Sequence, residues 1–334
     1  MPWGVLGWSA WLSGRPADSR RRAEESLARA RETGPPFSLT FTLINAALVR
    51  MWRDELVAAQ SLAQQLVALA DEYGFSLYGT VGSVTLGCIA VQTGEGQAET
   101  LTLISSGLTR LRAKRFNMYV PCFLAFLAQG YAQLGYMQDA LATITEAIHL
   151  SETTLAAFWQ AEAYRVKGEL VLQSRQVEDK SQASHRQVTK KSRTSQKKSE
   201  DTSPQPPTPS LHAEAEAETC FLKAIEMACR QEAKALELRA VMSLARLWQT
   251  QGKKNEAHQL LAELYDWFTE GFDTKDLREA KSLLTTLSRQ SVPEPTLPEM
   301  AGQGTSPPNL RLVVSKHSKA PRSPRIPTVK RGRT

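Results

Sequence analysis

The chain is poor in the residues that build reactive sites. Its 334 residues include four cysteines and five histidines. The cysteines, Cys88, Cys122, Cys220 and Cys229, form no CxxC pair, and each falls within a helical pattern. That spacing argues against a zinc ribbon and, at this length, against a disulfide framework. A role as a buried small hydrophobe is expected for each of them. The histidines, His149, His185, His212, His258 and His317, are scattered, so no metal site is expected. No Gly-rich loop carries Lys with Ser or Thr at phosphate-binding spacing; Gly94-Glu95-Gly96 and Gln251-Gly252-Lys253-Lys254 read as turns. Neither catalysis nor a cofactor is expected. No apolar run approaches the ~20 residues that span a bilayer. The apolar N-terminal stretch 1–12 has no basic residue ahead of it, and Arg20, Arg21 and Arg22 follow it, so it does not read as a signal peptide. A cytoplasmic protein with no membrane partner is the expectation.

A repeat is present instead. In the segment 127–147, Leu127, Ala128 and Tyr131 precede Gly135, and Ala140, Ile144 and Ala147 follow it. Apolar residues three or four apart on either side of a glycine describe two amphipathic helices joined by a turn. The same turn phase falls at Gly14, Arg53, Gly94, Gly135, Arg175 and Gly252. The spacing is about 40 residues except across one polar insert. The pattern predicts helices over 3–13 and 17–33, 36–51 and 54–73, 76–93 and 96–113, 117–134 and 137–152, 155–174 and 213–231, and 234–251 and 254–269. A closing helix over 274–288 follows, with Gly271 ending the previous helix and Asp273 or Thr274 capping the next. The fold class is therefore all-α, a solenoid of about six helical hairpins. Because the chain starts almost directly in a repeat helix, its first hairpin is expected to be truncated or covered, since solenoid ends need covering.

The residues that carry this phase resemble the tetratricopeptide repeat: Leu86-Gly87 with Gly94, Leu127-Ala128-Tyr131-Gly135-Ala140, and Leu244-Ala245-Trp248-Gly252-Ala257. The resemblance implies a right-handed stack whose first helices line an inner groove. The stretches 164–170, 235–248 and 265–274 are similar to the C-terminal helical region of bacterial predicted ATPases, which accompanies adenylate/guanylate cyclase, kinase or DNA-binding modules. That resemblance implies a non-catalytic sensor or regulatory region for protein–protein interaction, with an ATPase or cyclase module as a possible partner. Carrying over the family's usual contact positions gives Thr40, Arg50, Gln92, Gln129, Gln133, Glu162, Arg165, Glu169, Arg239, Arg246 and Gln249 as candidate groove residues. Arginine prominence there suits an acidic peptide or a peptide C-terminus, because the guanidinium fork matches a carboxylate. Equally, these arginines can pair with Glu162 and Glu169 inside the wall.

The net charge of +7 is unevenly spread. Residues 175–212 hold eight basic and four acidic side chains, and 289–334 hold nine and two. The helical parts, 1–174 and 213–288, are thus mildly acidic. Both basic segments are rich in Ser, Pro, Lys and Arg and short of large apolar residues, so they lack the burial needed to offset about 1–2 kcal/mol of ordering per residue; the composition is that of disorder. The tail 289–334 has the make-up of a cationic arm for nucleic acid, other anions or nothing at all. The tryptophans, Trp3, Trp8, Trp11, Trp52, Trp159, Trp248 and Trp267, mostly sit on apolar helix faces. Packing between adjacent hairpins accounts for them better than base stacking.

Overall fold

A computed structural model of the chain describes residues 4–153, 157–192 and 209–289. Among these residues the structure is helical, with no strand. The first two hairpins are α1 (Gly4–Leu12) with α2 (Pro16–Thr33) and α3 (Pro36–Trp52) with α4 (Leu56–Glu72). The next two are α5 (Ser76–Gln92) with α6 (Ala98–Ala113) and α7 (Val120–Gln133) with α8 (Met137–Thr153). A 3₁₀ turn (Ala157–Trp159) leads to α9 (Gln160–Ser192) with α10 (Pro209–Arg230). The set closes with α11 (Lys234–Thr250), α12 (Lys254–Tyr265) and α13 (Lys275–Arg289). The expected all-α solenoid of hairpins is what the chain forms.

Local chemistry fixes the hairpins. Pro16, Pro36 and Pro121 occupy first-turn positions of α2, α3 and α7, where a missing N–H costs nothing. Most helices end in a turn with a left-handed residue. Inside hairpins these are Gly14, Asp54, Gly94, Gly135 and Gly252; between hairpins they are Gly74, Arg115 and Glu232. Inside hairpins the next amide then donates back across the turn: Arg15 to Ala10, Glu55 to Arg50, Glu95 to Ala90, Tyr136 to Tyr131 and Lys253 to Trp248, each at 2.9 Å. α2 ends instead on Gly34 at φ −79°, and α12 stops at Tyr265, so the left-handed Gly271 lies in the loop beyond it and does not end that helix as expected.

Two turns differ from the sequence reading. In the second hairpin the left-handed residue is Asp54, not Arg53, which has φ −83°. Asp tolerates this conformation through its short polar side chain, so no glycine marks the turn. In the fifth hairpin α9 continues through Ser192 rather than stopping near 174. No Pro or Gly occurs between Arg175 and Pro204, so nothing there breaks the helix. The insert's remaining residues, 193–208, and the tail from 290 onward lie outside the described residues, as does Trp3.

The odd-numbered helices form the inner layer. Each packs on the next odd helix, and α11 also meets α1, whereas the even helices pack mainly on their chain neighbours and reach one another by side chains such as Arg31 to Gln65 and Arg112 to Glu146. Burial agrees: α3 buries eleven of its seventeen residues and α4 only five of seventeen. Close approach within hairpins relies on small residues; a Cβ on Gly168 would lie 2.5 Å from the Phe221 ring. No helix among the described residues is long and apolar enough to cross a membrane.

Candidate functional site

The α11–α1 contact means that the stack coils once and lands on itself. The turns inside the first two hairpins rest on the connections between the last ones. Around Gly14 the fit is close: an added Cβ would lie 2.7 Å from the Trp267 ring, 2.9 Å from Lys234 and 3.0 Å from Phe268. A Cβ on Gly271 would meet Pro16 at 2.0 Å. Glu270 accepts the Ala17 and Asp18 amides at 3.1 and 3.3 Å, capping α2 from 253 and 252 residues away. Lys275 reaches Asp54 at 3.1 Å. The chain's own C-terminal segments thus pack against the turns of the first two hairpins.

Aromatic rings fill the inside of this seam. Trp11 lies 5.5 Å from Trp52 and 6.4 Å from Trp159; Trp52 lies 4.9 Å from Trp159; Trp8 meets Phe158 edge-on at 4.6 Å. The sequence reading had these tryptophans packing between adjacent hairpins. They in fact join the first, second and fifth, because coiling brings α1 and α3 against the 3₁₀ turn. Ring pairs of this kind contribute about 0.5–1.5 kcal/mol beyond their buried area.

Of the candidate groove residues, Glu162, Arg165, Glu169 and Arg239 are paired with one another. Glu162 is buried and accepts from Arg165 at 2.6 and 2.9 Å, with Arg239 at 3.7 Å. Arg165 also binds Glu169 at 2.5 Å, and Glu169 accepts from Ser243 at 2.9 Å. Arg239 donates to Asp276 at 3.0 Å and to the Trp52 carbonyl at 2.5 Å, and its guanidinium lies 5.1 Å from the Trp11 ring. Burial opposes ionisation of Glu162, but Arg165 and Arg239 hold its carboxyl below the usual range. For Asp276 burial wins and pushes the carboxyl up, against the pull of Arg239.

Elsewhere Arg50 joins Glu24 at 2.8 Å and binds Glu55, which also takes Arg53 at 2.9 Å and Arg20 at 3.2 Å. Arg246 meets Glu279 at 2.9 Å on the surface. Gln133 donates to the Val91 carbonyl at 3.0 Å, and Thr40 to that of Pro36 at 2.8 Å. Gln92 and Gln129 are half-buried, and Gln249 is half-buried and engaged. Of the two readings left open for the arginines, pairing within the wall describes Arg165 and Arg239.

The acidic residues near the last connection have separate uses: Glu270 caps α2, and Asp276 binds Arg239. Cys88, Cys122 and Cys220 are buried as expected, with thiols pushed up by desolvation, whereas Cys229 is exposed and raised to about 11. Cys229 lies in the last turn of α10 on its solvent side, a position that helical periodicity alone did not separate from the core.

What the sequence reading missed is on the rims of the coil. Among the described residues, the large exposed hydrophobics lie chiefly at helix ends. Phe37, Tyr73, Met118 and Phe272 belong to the connections between hairpins, and Val57, Leu134 and Tyr136 to the turns inside them. The connection side carries a continuous aromatic row. Phe37 stands edge-on to Phe75 at 5.9 Å and to Tyr78 at 5.5 Å; Tyr73 stacks on Phe75 at 5.9 Å; Tyr78 meets Phe116 at 6.2 Å. A signal was available: Phe37, Tyr78 and Tyr119 recur every 41 residues, as do Phe75 and Phe116.

No protein-family model and no curated protein matches this sequence. Forty solved chains resemble it. Among them is a monomeric IFIT1 mutant solved with m7Gppp-AAAA, 11% identical over 86% of this chain, with a TM-score of 0.32. The match spans 63% of that protein's chain.

Proposed function

We propose that this chain is a non-catalytic scaffold that binds protein through the rims of its coiled hairpin stack. The observation that carries the reading is the aromatic row from Phe37 to Phe116, held on a frame whose inner charges and tryptophans are already engaged. Phe37 and Tyr73 are 51% and 47% exposed although both stand in ring contact with their neighbours. Exposed aromatic clusters on a rigid surface are the usual anchors of protein interfaces. The inner face expected from the repeat resemblance is a weaker candidate, because a ligand carboxylate would have to displace the bonds of Arg165 to Glu162 and Glu169. The test is a comparison of partners captured by the full chain and by a Phe37→Glu/Tyr73→Glu variant of unchanged helicity. A partner set indifferent to that change would remove the rim from consideration.

The finer reading, a regulatory region serving an ATPase or cyclase module, rests on the resemblance of segments 164–170, 235–248 and 265–274. Co-purification with a genetically adjacent ATPase or cyclase tests it; absence of such a neighbouring reading frame argues against it. The nucleic-acid alternative rests on the basic tail 289–334, almost wholly outside the described residues, and predicts salt-sensitive binding lost on its deletion.

A further inference from the structure

Between α8 and α10 the outer layer is open. Both helices pack on α9. The side chains that bridge other outer helices, Arg31 with Gln65 and Arg112 with Glu146, have no counterpart between these two among the described residues. A cleft of about 330 Å³ lies there, lined by α8, α9 and α10. That volume is at the lower end of the range of small-ligand pockets. The cleft shares no residue with the aromatic row or with the buried ion pairs.

Its lining is divided by chemistry. Leu141 from α8, Val171 from α9 and Ala213 from α10 supply apolar surface. Lys167, Val171 and Ser174 are spaced to share one face of α9. Lys167 is half-buried, yet its ammonium has no hydrogen bond or ion pair among the described residues, and neither has the Ser174 hydroxyl. Glu216, on α10, is likewise without a partner there. A cation and a carboxylate thus line one cleft without pairing across it. Both still act on one point: desolvation raises the Cys220 thiol, Lys167 opposes that rise and Glu216 adds to it. Arg175, also in the lining, is already engaged.

An unpaired cation and an unpaired carboxylate beside apolar surface complement a molecule that carries both charges and an apolar body. We propose that this cleft binds a free apolar α-amino acid. Its carboxylate meets Lys167 and the Ser174 hydroxyl, its ammonium meets Glu216, and its side chain lies on Leu141, Val171 and Ala213. A simple acid or a simple amine satisfies one of the two protein charges and leaves the other alone. A doubly charged anion sets its second charge against Glu216. The inference goes beyond the reading of the rims and is independent of it.

Isothermal titration of the full chain tests this with three probes of one shape: L-leucine, isocaproate, which lacks the amino group, and isopentylamine, which lacks the carboxylate. Leucine is expected to bind one to one, and each analogue about tenfold or more weaker, the loss of one charge-assisted contact. Lys167→Met is expected to bring leucine down to the level of isopentylamine and to leave isopentylamine unchanged. Glu216→Gln is expected to bring leucine down to the level of isocaproate and to leave isocaproate unchanged. Ala213→Trp fills the cleft and is expected to remove all three. Lys167 and Glu216 have no partners to lose, and circular dichroism verifies that each variant is folded. A wild type that takes up neither leucine nor L-phenylalanine overturns the proposal. So does an analogue that binds as tightly as leucine, or leucine binding that any of the three variants leaves intact. The Phe37→Glu/Tyr73→Glu variant leaves the cleft untouched, so it should bind leucine as the wild type does; failure of the rim reading and failure of this one are read separately.

Discussion

Closure of the coil predicts that two alanine substitutions, alike in backbone terms, differ in cost. Gly14 and Gly135 both end the first helix of a hairpin, with φ of 72° and 84°. Alanine there must adopt the left-handed conformation, at about 1–2 kcal/mol. At Gly135 that is the whole effect, because a Cβ meets nothing within 4 Å. At Gly14 the Cβ would overlap Trp267 at 2.7 Å and Lys234 at 2.9 Å, side chains more than two hundred residues away and themselves fixed by Phe268 and the α10–α11 turn. Overpacking of this kind adds about 1–3 kcal/mol. Urea unfolding followed at 222 nm should therefore show Gly14→Ala destabilised by roughly twice as much as Gly135→Ala. Hydrogen exchange should show the excess localised to α1, α2 and the α12–α13 connection. Equal losses at the two positions, with no change in exchange at the α12–α13 connection, would mean that the coil does not close in solution.

The buried ion pairs give a second contrast: Arg239→Ala leaves Asp276 without its arginine and Glu162 with Arg165 alone, and is expected to cost about 3–5 kcal/mol in the same assay. Arg246→Ala breaks only the exposed pair with Glu279 and is expected to cost less than about 1 kcal/mol; comparable losses would refute the burial argument. Acid should destabilise the chain through Glu162 and Glu55, whose carboxyls are held below the reference value of 4.5 in the folded state. Their stabilisation is complete above that value and is lost as pH falls through the lower folded values, so the unfolding midpoint should be level near neutrality and drop below about pH 4.5. Asp276 is raised and acts in the opposite direction, so Asp276→Asn should steepen that acid decline; a shallower one would contradict the assignment. Finally, Arg115 sits at φ 57° without a glycine's freedom, and Arg115→Gly should raise stability by roughly 1 kcal/mol, read as a higher thermal midpoint.

The hairpins were legible because their signals are local. Helical spacing of Leu127, Ala128 and Tyr131 and the glycines at 94, 135 and 252 mark helix and turn within a few residues of each other. Asp54 was misplaced by one position because the left-handed slot there is filled by a residue that only tolerates it. The end of α9 was misjudged because polar composition was taken as a stop, whereas Ser, Gln and Lys in the absence of Pro and Gly permit a helix to run on. The candidate inner residues were placed on the right helices, but their partners were not foreseeable in full. Arg165 with Glu162 and Glu169 is an i−3 and i+4 pattern readable from sequence. Arg239 with Trp52, Asp276 and Trp11 depends on how far the stack coils, and that angle accumulates from the packing of every successive pair. The aromatic row was hidden for a different reason: its residues repeat with the same period as the core positions but sit at the helix ends, where helical spacing does not separate a buried ring from an exposed one.

Closure also bears on how such a chain can change over generations. In an open array, duplicating one hairpin lengthens the structure and leaves every existing contact in place. Here a hairpin added between the second and the sixth would carry Trp267, Glu270 and Gly271 past Gly14 and Pro16 and bring unrelated side chains to the seam. The spacing between those hairpins is thereby fixed as a whole number that selection cannot alter one unit at a time. Length gained inside a hairpin turn leaves the angle between neighbours untouched. The extra residues between α9 and α10 are in a position where growth is geometrically free.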